Sequence, residues 1–146
     1  MEEKTIFTEI RILSNLIRQK LWSNPQAEID GKLIGGHGYI LKFIAESGSA
    51  VFQRDIEKAF KIRRSTVTQT LNRMENNGII LRKSVNYDSR LKQIELTEKG
   101  KQIHLSFKNR AENFENEVSR ALTLKERECF LCLISKLQKK VEEQTL

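Results

Sequence analysis

The sequence predicts a mainly α-helical domain carrying one small β-hairpin, on three observations. Apolar residues recur at intervals of three and four along most of the chain, as on the buried stripe of an amphipathic helix. Only residues 79–84 and 91–96 read as a pair of short strands. One proline and seven glycines among 146 residues, 31% of them charged, describe a helical, well-solvated protein and argue against disorder or an all-β fold. This length suits one domain, large enough to bury a core without disulfides or metals.

The first helix is expected over residues 5–22, where Ile6, Ile10, Leu13, Leu16, Ile17 and Leu21 share a face. A loop containing Asn24-Pro25, Gly31 and Gly35-Gly36 follows, then a second helix over 37–46 that stops before Ser47-Gly48-Ser49. The Gly35-Gly36-His37-Gly38 run follows no strand and lacks the lysine and hydroxyl of a phosphate-binding loop, so it reads as a connector. Residues 53–60 make a third helix with Ile56, Ala59 and Phe60 inward. After a short turn a fourth runs over 65–77, with Ser65 as its N-cap and Gly78 as its stop. On it Val67, Leu71 and Met74 share one face, and about 100° per residue puts Ser65, Gln69, Asn72, Arg73 and Asn76 opposite, with Thr66 and Thr68 on the shoulders.

In the second strand Ile94 and Leu96 lie two apart, as a half-buried strand requires, and 85–90 have the composition of a hairpin tip. Thr97 caps a long helix in which Ile103, Phe107, Ala111, Phe114, Val118 and Ala121 keep a near-heptad rhythm. Thr123-Leu124-Lys125-Glu126 is a capping box that opens the last helix, carrying Phe130, Leu133, Ile134, Leu137 and Val141. The first and last helices offer more apolar surface than one small domain can hide, which points to dimerisation through both chain ends.

Charge is concentrated in the middle. Residues 52–92 hold ten basic and four acidic residues, +6 of the chain's +7, and the remainder is nearly balanced. Basic charge on two short helices and a hairpin suits a duplex-binding module, because neutralising phosphates releases counterions. The longest apolar run, residues 129–134, is far short of the ~20 residues that span a bilayer. Met1-Glu2-Glu3-Lys4 leads straight into an amphipathic stretch instead of a signal sequence, and the two cysteines cannot staple distant parts of a fold. A reducing cytoplasm is the expected location.

Residues 53–56 and 64–80, then Asp88-Ser89-Arg90, then Leu96-Thr97-Glu98-Lys99-Gly100 together resemble the MarR family of bacterial transcription regulators. The resemblance implies a winged helix-turn-helix with N- and C-terminal dimerisation helices: residues 34–100 as the DNA-binding module, 1–33 and 101–146 as the dimerisation helices of a homodimer. The helix from Ser65 would be the recognition helix, with Ser65, Thr66, Thr68, Gln69, Asn72 and Arg73 toward the major groove and its phosphates. Arg90 matches the family arginine that enters the minor groove, and Asp88 the acid that orients it. Arg54, Arg63, Arg64, Ser89 and Lys92 complete the expected DNA-binding set. The residues alone agree, since Gln and Asn amides can bond bidentately to adenine and hydroxyls at a helix start suit phosphates. Where many relatives have a small residue between the two helices, this chain has Phe60-Lys61-Ile62.

The expected function is therefore sequence-specific binding of double-stranded DNA at a pseudo-palindromic operator, as a repressor relieved by a small aromatic or lipophilic effector. Trp22, His37 and Tyr39 are the candidate lining of an effector crevice, against the alternative of core or dimer contacts. Two further readings stay open: a winged-helix dimer that holds a partner protein, and an oxidant sensor using Cys129 and Cys132. Against the first, the outward face of the fourth helix lacks aromatic or aliphatic anchors. Against the second, both cysteines fall in the most apolar stretch of the last helix, where core packing is expected. His37 and His104 are not at ligand spacing from the cysteines, so no metal is expected. With no activated nucleophile in view, neither catalysis nor a cofactor is expected.

Overall fold

The computed structural model describes residues 4–23, 25, 26, 30, 32 and 37–145, and it realises the expected order of elements, except that residues 25, 26, 30 and 32, expected in a loop, are helical. They are α1 (Ile6–Leu21), α2 (Gly38–Glu46), α3 (Gln53–Phe60), α4 (Arg64–Asn76), β1 (Ile80–Val85), β2 (Asp88–Leu96), α5 (Glu98–Ser119) and α6 (Leu124–Glu142). The chain divides into two compact units, Met1–Arg110 and Ala111–Leu146, and α5 runs from the first into the second. Gly35 and Gly36 of the glycine-rich connector lie outside the described residues.

The core of the first unit is aliphatic. Ile40, Leu41 and Ile44 from α2 meet Ile56 from α3, Val67, Leu71 and Met74 from α4, Ile79, Ile80 and Ile94 around the hairpin, and Ile103 from α5. Burying such side chains contributes about 1.5–3 kcal/mol each, so this cluster holds the short helices where propensity alone would not. Val51 adds one bridge to the edge of the hairpin, its carbonyl oxygen accepting from the Ile94 N–H at 2.8 Å. Ile56 is buried and Phe60 partly so, but Ala59, expected inward, is exposed beside a surface groove with Phe43 and Ser47.

The ends of α4 are set by different forces. Its N-cap lies two residues earlier than the expected Ser65, at extended Arg63, whose carbonyl takes the Val67 N–H at 3.1 Å. Ser65 is therefore inside the first turn. The tight turn before it places Lys61 in the left-handed region (φ 53°, ψ 40°), a conformation that favours glycine and ends α3. At the other end Gly78 adopts φ +69°, its N–H bonding the Glu75 carbonyl at 3.0 Å while the Ile79 N–H bonds that of Met74 at 2.8 Å. This pair of bonds is a Schellman motif, and buried Met74 and Ile79 supply its hydrophobic contact.

The start of α5 locks onto that motif. Thr97 accepts from the Gly100 N–H at 3.1 Å, capping the helix, and its hydroxyl lies 2.6 Å from the Gly78 carbonyl, to which it donates. The Thr97 N–H reaches the Ile79 carbonyl at 3.0 Å, and Lys99 Nζ the Asn77 carbonyl at 2.9 Å. Gly100 passes so close that an added Cβ would lie 2.1 Å from the Ile79 carbonyl oxygen.

The hairpin is longer than expected. β1 and β2 pair antiparallel from Ile80 opposite Leu96 to Ser84 opposite Lys92, then the register jumps so that Val85 faces Asp88. The turn proper is Asn86-Tyr87, and Ser89, Arg90 and Leu91 bulge out of the ladder. Arg90 thus sits in a bulge beside the tip, where composition had put it on the tip itself.

In the second unit α6 opens with the expected capping box: the Thr123 N–H donates to Glu126 at 2.7 Å and Thr123 accepts from the Glu126 N–H at 3.2 Å. None of its residues is buried, and Phe130, Leu131, Leu133 and Val141 are exposed. Cys129 and Cys132 are exposed free thiols, not the core residues expected, because within one chain the apolar stretch of α6 is uncovered. On α5 only Gly100, Ile103 and Phe107 are buried, and Val118 is exposed. The face of α1 carrying Ile6, Ile10, Leu13, Leu16 and Ile17 is likewise exposed.

Two glycines of the junction separate steric from conformational cost. Replacing a helical glycine by alanine ordinarily stabilises by about 1 kcal/mol, but Gly100→Ala drives its methyl into a backbone carbonyl and is expected to cost about 2–3 kcal/mol. Gly78→Ala meets open space and only its positive φ, a cost of about 1–2 kcal/mol. Urea unfolding should rank Gly100→Ala as the more damaging; a neutral or stabilising Gly100→Ala contradicts the packed junction.

Candidate nucleic-acid interface

One face of α4 packs into the core and the other is left for a partner. Val67, Thr70, Leu71 and Met74 are buried, while Arg64, Ser65, Thr66, Gln69, Asn72 and Arg73 are exposed. The first turn has no acidic residue and no side-chain cap, so its free N–H groups point into solvent with the positive end of the helix dipole. Such a terminus, with Arg63 and Arg64 beside it, is suited to a phosphate.

Thr68 differs from its neighbours. It is half-buried, and Gln53 Nε2 donates to its hydroxyl at 2.8 Å and to Glu57 Oε1 at 3.0 Å. Gln53 therefore straps α3 to α4, a role the sequence did not reveal because it depends on how two helices cross. Arg54 is exposed, with its guanidinium 5.6 Å from the centre of the Phe52 ring.

Between α3, α4 and the hairpin lies a cleft of about 280 Å³ lined by Arg54, Arg64, Arg82, Arg90 and Lys92, with Glu57 the acidic member of its wall. Four of these cations were expected to act together; Arg82, on β1, was not. It approaches α4 with Nη2 2.8 Å from Asn72 Oδ1 and Nε 3.6 Å from Glu75 Oε2. The second distance is too long for a hydrogen bond, leaving Nε held by charge.

Asp88 shapes the bulge. Its Oδ1 accepts from the Arg90 backbone N–H at 2.9 Å and from Arg90 Nε at 3.2 Å. These bonds, the backbone one first, hold the Asp88 carboxyl below its ordinary value. The Arg90 side chain nevertheless remains 89% exposed. A guanidinium oriented by an acid yet open to solvent is presented for contact outside the chain. Ser89 is exposed beside it, and Lys92 Nζ bonds Ser84 Oγ at 2.6 Å across the strands.

Trp22, His37 and Tyr39 come together along a separate cleft of about 440 Å³ whose wall includes Ile17, Leu21 and Phe107. Trp22 stacks on Phe107 at 5.3 Å, and His37 Nδ1 lies 2.6 Å from the Tyr39 hydroxyl. Burial, and then the charge of Arg73, lowers the His37 pKa; burial raises that of Tyr39. Arg73 belongs to α4, so the cleft and the exposed helix face are electrostatically adjacent. Among the described residues no cluster of three or more metal-ligating side chains occurs, and no helix is long and apolar enough to cross a membrane.

The sequence profile of the MarR family matches residues 33–91, a range that includes α2, α3, α4, β1 and the first residues of β2. An HTH-type transcriptional regulator of Bacillus subtilis, YwhA, is 31% identical over 133 residues, covering 88% of this chain and 94% of that protein. Solved structures share the fold. The S. aureus MepR–DNA complex superposes with a TM-score of 0.81 at 24% identity, covering 95% of this chain and 99% of that one. A MarR-type regulator from Listeria monocytogenes, complexed with 26mer DNA, gives 0.76 at 18% over 95% and 90%. The regulator SlyA gives 0.80 at 21% over 96% of each chain. The architecture is a winged helix-turn-helix.

The histidines set a pH dependence. Burial is the leading cause that puts the pKa of both His37 and His104 below the ordinary 6.5, so the unfolded chain takes up protons at a higher pH than the fold does. Stability from these groups is complete above about 6.5 and is lost as pH falls toward the lowered folded values. Urea midpoints measured from pH 8 to pH 5 should decline below 6.5, and less steeply in His37→Gln. A midpoint that rises on acidification contradicts the lowered pKa of these half-buried rings.

Proposed function

Since the chain belongs to the MarR family of transcriptional regulators, we propose that it binds a pseudo-palindromic operator in double-stranded DNA as a homodimer and represses transcription there. The observation that carries this reading is the α4 face of Ser65, Thr66, Gln69, Asn72 and Arg73, exposed, almost without acids and bordered by the cation-lined cleft. In it, α4 enters the major groove, Gln69 meets base edges, and Arg63, Arg64 and the helix start hold phosphates. Arg90, steered by Asp88, reaches the neighbouring minor groove, where a narrow A·T-rich stretch attracts a guanidinium. Structures of MepR and of the Listeria regulator with DNA lend the reading support by analogy.

The exposed apolar faces of α1 and α6 support the dimer, since stripes of that size mark interfaces. Two-fold pairing gives two recognition helices for two half-sites. The Trp22, His37 and Tyr39 cleft, aromatic and adjacent to α4 through Arg73, is the proposed seat of a small aromatic or lipophilic effector that relieves repression.

Selection of bound fragments from random DNA tests the reading and yields the operator. On it Gln69→Ala is expected to cost about 1–3 kcal/mol per subunit, and less on random DNA. Arg64→Ala should weaken every sequence alike and flatten the salt dependence, as loss of a phosphate contact does. Arg90→Ala should leave thermal unfolding nearly unchanged and lose affinity most where the flank is A·T-rich. Light scattering should give twice the 17.0 kDa chain mass. Equal losses on operator and random DNA for Gln69→Ala, or a monomer that binds operator tightly, overturn the proposal.

A further inference from the structure

Asn72 is exposed on α4, yet its amide is not free to turn. Arg82 grows from β1 and donates from Nη2 to Asn72 Oδ1 at 2.8 Å, while its Nε sits 3.6 Å from Glu75 Oε2, also on α4. The guanidinium is thus tied to the helix by one hydrogen bond and one longer ion pair, and its own side chain is only 23% exposed. A guanidinium has donors alone, so the amide atom facing it is the oxygen. The NH₂ group is left turned away from Arg82.

We propose that Arg82 is a positioning residue that fixes Asn72 as a hydrogen-bond donor, so that this helix position reads an acceptor edge, guanine N7 and O6 or thymine O4. An unrestrained asparagine takes adenine, but that pairing needs Oδ1 to accept from N6 while Nδ2 donates to N7. Here Oδ1 is directed to the hairpin. The wing strand therefore takes part in base selection by the recognition helix without touching a base. The inference rests on the reading that α4 enters the major groove.

The test is selection of bound duplexes from random DNA by the full chain and by Arg82→Met, Arg82→Lys and Asn72→Asp, with thermal unfolding recorded for each. Wild type should enrich a base with an acceptor edge at one position of each half-site. Arg82→Met frees the amide and should move that position toward adenine by about tenfold, leaving the other positions as they were. Arg82→Lys keeps a donor for Oδ1 and should retain the wild-type preference. Asn72→Asp keeps the bond to Arg82 but has no donor to present, so the acceptor-edge preference should vanish, a result that stands even if Arg82→Met fails to fold. Wild-type base preferences in Arg82→Met with only a uniform loss of affinity, or an unchanged preference in Asn72→Asp, overturn the inference while sparing the DNA-binding reading. A wild-type chain that enriches no sequence removes that reading, and the inference with it.

Discussion

The junction between the end of α4 and the start of α5 is the constraint on which the functional surface depends. Four backbone carbonyls, from Met74, Asn77, Gly78 and Ile79, find their partners there in the Ile79 N–H, Lys99, and the hydroxyl and N–H of Thr97. Met74 and Ile79 are buried, and a buried carbonyl left unsatisfied costs about 1–3 kcal/mol. Satisfied together, they determine where α4 stops, how β1 departs and how α5 leaves the hairpin. The absence of a side chain at Gly100 permits the approach. The family motif over residues 96–100 is thus a joint, and the residues facing the partner are elsewhere.

With α4 held at its end by this joint and along its length by Val67, Leu71 and Met74, its outer face is presented on a rigid element. Rigidity matters because a hydrogen bond to a base edge is worth little if ordering the side chain's support consumes the gain. The same logic runs through the polar contacts around α4: Gln53 straps α3 to Thr68, Arg82 straps β1 to Asn72 and Glu75, and Asp88 orients Arg90. The ion pairs among them, Arg82–Glu75 and Arg90–Asp88, lie near the surface and contribute little stability. What they supply is orientation, and it is concentrated where the +6 charge lies.

Much of this was legible in the sequence, and the rest was hidden for identifiable reasons. The Thr123–Glu126 box and the Gly78 stop are local chemistry, decided by residues within one turn of each other, and both were readable. The cap of α4 was missed by two residues because the turn at Lys61, left-handed without being glycine, sets the cap at Arg63. The bulge at Ser89, Arg90 and Leu91 leaves no mark on an alternation pattern, so the hairpin looked shorter and Arg90 looked terminal. Cys129 and Cys132 were expected in a core because an apolar stripe looks alike whether its own chain or a second copy covers it. Arg82 and Gln53 act across elements far apart in sequence, and only the fold brings their partners within reach.

The central claim is that a two-fold pair of α4 helices and wings reads one DNA site. Hydroxyl-radical footprinting on a selected duplex addresses it directly. The account predicts two equal protections related by a dyad, centred about 10 base pairs or a multiple of that apart, with minor-groove protection on the flanks where Arg90 would lie. A single protected segment, or weak protection that is the same on every sequence, would contradict it.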